Sequence, residues 1–367
     1  ALIYIMDSYV PKPLPAASES YSSKTVVITG ANSGVGYETS RQLAVNYVMQ
    51  VIMACRSAEK CDNAAKSINT ELASIKSKGS VTPEIIDLAD LNSVKSFASK
   101  LEGKRVNVLF NNAGYVPVPN TPVNEYGLDP SFSSMHLAHF LLTEELLRKN
   151  PDMRVVNTSS GTHHLCAIPF SYAPPYILEK ISPNGAIGVY LKMKGVYELP
   201  RNPGCVTGDY LSEGIRSPTS GASYIQAKLA NVMHAVATPR RHPRASAVVI
   251  DLGWVGTNIQ PFLRLASNLG WTRSAKVGVL PAMHAILTSN EELTNELNEG
   301  KMDRIWGGFV VNVFGTPEQA FSYHWWKNGA NANLSRGQMI KWSEKLWDES
   351  AKLLEIKTSR RIGSTEV

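Results

Sequence analysis

The stretch TGANSGVG, Thr29 to Gly36, decides how the rest of the chain is read. It leaves an apolar run, KTVVIT (24–29), and opens a helical pattern from about 34 to 47. Gly30, Gly34 and Gly36 let the backbone come close to a ligand, and Asn32, Ser33 and Val35 lie between them. A helix N-terminus offers free N–H groups and partial positive charge, which suits a pyrophosphate. The strand–turn–helix setting turns a weak glycine pattern into a dinucleotide-binding signal.

Outward from that turn, strands and helices alternate. QVIMAC (50–55), VTPEIID (81–87), VNVLFNN (106–112), MRVVNTSS (153–160), ASAVVIDLG (245–253) and WGGFVVNVFG (306–315) read as further strands. Helical patterns fall between them, Asp90 is placed to cap the one at 91–102, and an amphipathic helix is expected over 336–355. Pro83 suggests that the third strand is an edge, or that Pro83 lies among its first residues. Continuous apolar strands imply a parallel sheet covered on both faces. The expected fold is therefore α/β, a doubly wound parallel sheet of about seven strands with helices on both sides.

The domain is expected to span 24–356, after an N-terminal extension (1–23) and before a C-terminal tail (357–367). The extension is Pro- and Ser-rich and begins with Ala, so a processed precursor and a floppy arm are both open. Residues 161–221 form a long irregular insertion, and 259–275 an amphipathic excursion. Each follows the carboxyl end of a strand, where such sheets bind ligands.

Composition excludes several classes. With 367 residues, 43% hydrophobic and 19% charged, the chain is an ordinary globular one. No apolar run is long enough for a membrane-spanning helix. Cys55, Cys61, Cys166 and Cys205 form no CxxC pair and no zinc-spaced cluster, so reduced structural thiols are the expectation. His136 and His139, one turn apart, read as packing residues, and no metal is expected. The net charge of +6 is spread out except at PRRHPR (239–244), which reads as a solvated turn rather than a nucleic-acid patch. Trp325, Trp326, Trp342 and Trp347 are expected to pack in the core or between subunits.

The second strand ends in ACRS. That point faces the adenosine ribose in this fold, where an acidic residue selects NAD. Arg56 stands there instead, which suits a 2′-phosphate and favours NADP(H). Asp87 and Leu88, ending the third strand, are placed to meet the adenine.

TGANSGVG, NNAG (111–114), NTSS (157–160) and YIQAK (224–228), in that order, make the chain resemble the short-chain dehydrogenase/reductase superfamily, whose sheet is Rossmann-like. VIMACRSAEK, HLAHFLLTEELL, YIQAKLANVM and KWSEKLWDESAKLL resemble the branch of retinol dehydrogenases, WW-domain oxidoreductases and protochlorophyllide reductases. The resemblance implies an NADP-dependent oxidoreductase interconverting carbonyl and alcohol on a hydrophobic retinoid-, steroid- or fatty-aldehyde-like substrate. Tyr224 would be the general acid/base and Lys228, four residues on and on the same helix face, would lower its pKa. Lys228 would also bind the nicotinamide ribose. Ser160, in preference to Ser159, would polarise the substrate oxygen. Asn111, Asn112, Ala113 and Gly114 would close the adenosine side and support the sheet, and Thr257 would meet the cofactor near its nicotinamide.

Three departures support a second reading. Met135 stands where the family carries a catalytic Asn that holds a relay water. Asp251-Leu252-Gly253 replaces the usual Pro-Gly, and the insertion after Ser160 is long. His163 and His164 lie at its start and line the substrate mouth or serve the loop alone. The second reading is a catalytically weak accessory subunit of a larger organellar complex. An organellar location is favoured over a cytoplasmic one. Peripheral membrane contact through 259–275, and assembly as a homo-oligomer or within a complex, stay open.

Overall fold

Strand β1 (Thr25–Thr29) pairs in parallel with β2 (Gln50–Cys55) on one side and β4 (Val108–Asn111) on the other. The computed structural model describes residues 14–115, 122–125, 128–160, 220–252, 255, 274–293, 310–313 and 336–354. Most of the insertion, Thr257, His163, His164, Trp325, Trp326, the excursion through 273 and the C-terminal tail lie outside them.

The sheet runs β3-β2-β1-β4-β5-β6-β7, with β3 Ser80–Ile85, β5 Arg154–Thr158, β6 Ser246–Ile250 and β7 Val310–Val313. β3 is the edge, as Pro83 requires of a residue with no N–H to give a further strand. The first six strands are parallel. The seventh is antiparallel, with Ala247 opposite Val313 and Ile250 opposite Val310, which corrects the expectation of a wholly parallel sheet. An antiparallel edge strand on a parallel sheet is a common ending, and a short apolar run carries no signal of its direction.

The longer described helices are α1 (Gly34–Tyr47), α2 (Ala58–Ser74), α3 (Leu91–Lys100), α4 (Ala138–Lys149), α5 (Ser220–Arg241), α6 (Leu280–Leu287) and α7 (Arg336–Leu353). Asp90 caps α3 by accepting the Asn92 N–H at 2.8 Å. The helical stretch before β5 is built from three pieces. Asp129 accepts the N–H groups of Ser131 and Phe132, Pro130 begins a turn, and Ser133–Leu137 is π-helical before α4. A π-turn inside a helix marks a place where regular packing yields to another demand.

Two buried clusters flank the sheet. Phe97, Leu141, Leu146, Ala230, Val236 and Trp347 belong to one, beneath α3, α4, α5 and α7. Val26, Ile28, Leu43, Ile68, Phe110 and Met283 belong to the other, beneath α1, α2 and α6. Each such large side chain contributes about 1.5–3 kcal/mol when fully buried. Part of the N-terminal arm docks on the second cluster. Tyr21 stacks edge-on against Tyr47 at 5.4 Å, its hydroxyl donates to Leu287 O at 3.0 Å, and the Tyr47 hydroxyl donates to Pro15 O.

Two further expectations are corrected. Cys55 and Cys61 form a disulfide, with Cα atoms 5.9 Å apart, rather than remaining thiols. A strand end and the first turn of the following helix bring residues together that have no CxxC spacing. Arg240 and Arg241 are not a solvated turn. Arg240 pairs with Glu344 at 3.0 Å, and Arg241 reaches Glu344 and Asp348 at 2.7 Å each. Trp347, 1% exposed, packs between them and the rings of Phe140 and His234. This seam fixes α7 along α5.

Candidate active site

The carboxyl ends of the parallel strands bring the site together. β1 delivers Gly30, β2 Arg56, β4 Asn112, β5 Ser159 and Ser160, and β6 Asp251.

The glycine turn is built as a cradle. Gly30 has φ +66° and Gly34 φ +58°, a region open to glycine and strained for other residues. A Cβ on Gly36 would lie 2.4 Å from Gly30 O and 2.7 Å from Asn112 Nδ2. Ser33 stands at the N-cap of α1 in extended conformation without its side chain accepting from the first turn. The helix N-terminus therefore keeps backbone donors aimed outward, the donor set a pyrophosphate needs. Asn32, Ser33 and Val35 lie on this turn. These features fit a dinucleotide.

Asn112 and Ala113 are fastened to the same turn. The Asn112 side chain donates to Thr29 O at 2.8 Å, and the N–H groups of Asn112 and Ala113 donate to Thr29 Oγ1 at 3.0 and 2.9 Å. Asn111 points into the sheet, donating to Asn157 Oδ1 at 2.8 Å and Thr143 Oγ1 at 3.2 Å. On the far side of β1, the Ile86 N–H donates to Cys55 O at 2.9 Å, which sets Asp87 and Leu88 beside exposed Arg56. Asp87 accepts from the Ala89 N–H, and Leu88 packs on the core.

Helix α5 carries Tyr224 and Lys228. The Lys228 ammonium lies 5.5 Å from the centre of the Tyr224 ring and donates to Thr158 O at 3.3 Å. A Cβ placed on Gly114 would meet Lys228 Nζ at 3.4 Å and Met135 Sδ at 3.5 Å. Gly114, Met135 and Lys228 thus share one corner, between the cofactor turn and the tyrosine. Lys228 is 4% exposed. Burial pulls its pKa from the usual lysine value down to about 8, while Asp251 pushes it back up. Ser159 Oγ donates to Lys228 O at 2.8 Å, so this serine ties β5 to α5, and half-buried Ser160 comes next toward the mouth.

Sequence reasoning missed the support beneath these residues. Asn157 donates to Asn231 O at 3.2 Å, and Asn231 donates to Thr158 O at 2.9 Å, the carbonyl Lys228 also uses. His139 Nε2 lies 2.9 Å from Thr29 Oγ1. Thr29 and His139 were legible only as a strand end and a buried helix position. His136 and His139 do pack in the core, and the described residues hold no cluster of metal-ligating side chains.

Residues 24–173 match the short chain dehydrogenase family model. Human retinol dehydrogenase 13 is 38% identical over 164 residues, covering 43% of this chain and 48% of that protein. Zebrafish (Danio rerio) WW domain-containing oxidoreductase is 37% identical over 150 residues, covering 40% and 35%. The match thus spans about half the length of the first of these relatives and less of the second. Among solved structures, an uncharacterized protein from Mycobacterium paratuberculosis superposes with a TM-score of 0.58 at 24% identity, covering 95% of this chain and 97% of that one. A short chain dehydrogenase from Shigella flexneri, complexed with NADP, gives 0.50 at 16% identity, covering 76% and 95%. At these identities the two structures speak for the fold.

Proposed function

We propose that the chain is a retinol dehydrogenase-like member of the short-chain dehydrogenase/reductase superfamily and an NADP(H)-dependent oxidoreductase. It interconverts a carbonyl and an alcohol on a hydrophobic small molecule of retinoid, steroid or fatty-aldehyde type. The observation that carries this reading is the corner where the Lys228 ammonium lies beside both the Tyr224 ring and Gly114. One cation there serves the proton donor and the cofactor-binding strand end together.

When bound, a dinucleotide would supply the hydride-transfer chemistry. The chain does the rest. The Gly30–Gly36 turn and the α1 N-terminus would hold the pyrophosphate, and Arg56 would take the 2′-phosphate. Asp87, Leu88, Asn112 and Ala113 bound the adenosine side. An unassisted phenol, with pKa near ~10, is a poor proton donor at neutral pH. The neighbouring Lys228 cation favours the phenolate and brings Tyr224 into range. In reduction Tyr224 gives its proton to the carbonyl oxygen, and in oxidation it takes one from the hydroxyl. Ser160 donates a hydrogen bond to the same oxygen, a role left to it because the Ser159 hydroxyl is spent on Lys228 O. Thr257, which lies outside the described residues, would meet the cofactor near its nicotinamide end.

The test is a fluorescence titration with NADPH and, separately, NADH, followed by reduction of long-chain aldehydes and retinal. Selective NADPH binding and turnover that Tyr224→Phe abolishes while binding survives are expected. Undiminished turnover in Tyr224→Phe removes Tyr224 from the mechanism.

Met135 favours a second reading. Its thioether, a weak acceptor, fills the corner beside Lys228 where a polar group would assist proton resupply. In that reading the chain binds cofactor, turns over slowly and serves as an accessory subunit in an organellar complex. Co-purification with a large assembly, and NADPH binding without turnover, distinguish it.

A further inference from the structure

Asp251 is the first residue after β6, and it is 5% exposed. β6 lies parallel to β5 with Thr158 opposite Ile250, and the Ser159 N–H donates to Ile250 O at 2.7 Å. Asp251 therefore emerges level with Ser159 and Ser160, over the end of β5. Lys228 reaches the same place from α5, through its bonds to Thr158 O and from Ser159 Oγ. Among the described residues, the ammonium also lies by Gly114, the Met135 thioether and the Tyr224 ring. His139, on α4, is close enough for its own protonation to be opposed by Lys228. Of these, Asp251 alone brings a negative charge at neutral pH.

A buried ammonium with no counter-charge sheds its proton, because burial penalises the charged form. A thioether and one carbonyl at 3.3 Å do little to prevent that. We propose that Asp251 is the positioning residue that keeps Lys228 cationic and, through Lys228, sets the ionisation of Tyr224. The inference rests on the proposed roles of Tyr224 and Lys228. It assigns a function to a carboxylate that the glycine turn, the Ser160–Tyr224–Lys228 set and the Arg56 site leave unused. The role is electrostatic: without the carboxylate Lys228 becomes neutral at lower pH, and a neutral Lys228 no longer favours the phenolate.

The experiment follows the Lys228 amine directly by NMR of protein carrying 13C-labelled lysine, with the signal assigned through its loss in Lys228→Arg. In the unaltered protein the midpoint is expected near 8, and a midpoint below 7 overturns the proposal without any variant at Asp251. In Asp251→Asn the midpoint should fall by about one pH unit or more. An unchanged midpoint in folded Asp251→Asn also overturns it. The basic limb of the pH–rate profile should move by the same amount, whereas a merely structural role would scale the rate at every pH and leave the limb in place. Because the NMR midpoint needs no turnover, absence of reductase activity refutes the proposed function and leaves this measurement intact.

Discussion

Thr29 Oγ1 and His139 Nε2 lie 2.9 Å apart, and the proton between them belongs to the threonine. Both lone pairs of the hydroxyl are taken by the N–H groups of Asn112 and Ala113. Its own hydrogen therefore goes to the imidazole in preference to Phe110 O at 3.5 Å. That sets the tautomer: Nε2 accepts, and Nδ1 donates to Met135 O at 3.1 Å. A histidine behind the sheet thus holds the floor of the cofactor site through one hydroxyl. Thr29→Val keeps the shape and deletes the oxygen. It should lower stability by about 2 kcal/mol in urea unfolding, because buried donors lose their acceptor, and should weaken NADPH binding in the same protein.

His136, His139 and His234 are all buried and neutral in the folded chain. Burial drops His136 to about 3, His139 to about 4 and His234 well below the usual imidazole value. In the unfolded chain each takes a proton near pH ~6.5. The unfolded state therefore binds more protons, and stability falls as pH drops from about 6.5 toward about 4. With three histidines the slope approaches about 4 kcal/mol per pH unit. Denaturation midpoints at stepped pH should show this slope, and His234→Leu should remove about a third of it. A flat profile between those pH values would mean that the imidazoles are already charged in the fold.

The Cys55–Cys61 link closes a short loop around Arg56 and Ser57. Cross-linking so few residues stabilises by about 2 kcal/mol through the unfolded chain. Cys61→Ser should lower the unfolding free energy by about that amount. Dithiothreitol should do the same to the unaltered protein and nothing further to the variant. Equal stability with and without reductant would exclude a contribution from the link.

Arg56 is exposed at the end of β2, beside Asp87. Arg56→Ala should weaken NADPH binding on the order of tenfold or more, since a charge-assisted bond to phosphate is lost. NADH binding should be nearly unchanged. Equal losses for both cofactors would mean that the residue shapes the loop without reading the phosphate.

Much of this protein is written locally. Apolar runs ending at glycine, Asp90 before a helix and Pro83 in a strand each carry their meaning within a few residues. The alternation of strands and helices and the α1 turn were therefore legible in the sequence, and Pro83 narrowed β3 to an edge or to Pro83 lying near the strand's start. So was the four-residue spacing that puts Tyr224 and Lys228 on one face of α5. Long-range packing decided the rest. The direction of β7 depends on pairing with β6, and Arg240 and Arg241 became a seam only when α7 brought Glu344 and Asp348 to them. The direction of the Thr29 hydroxyl is set by His139, over a hundred positions away, and the charge facing Lys228 comes from Asp251, at the end of the strand next to β5. Backbone preferences are set by near neighbours, whereas the field and hydrogen bonds at a buried atom are set by whatever the completed fold places beside it.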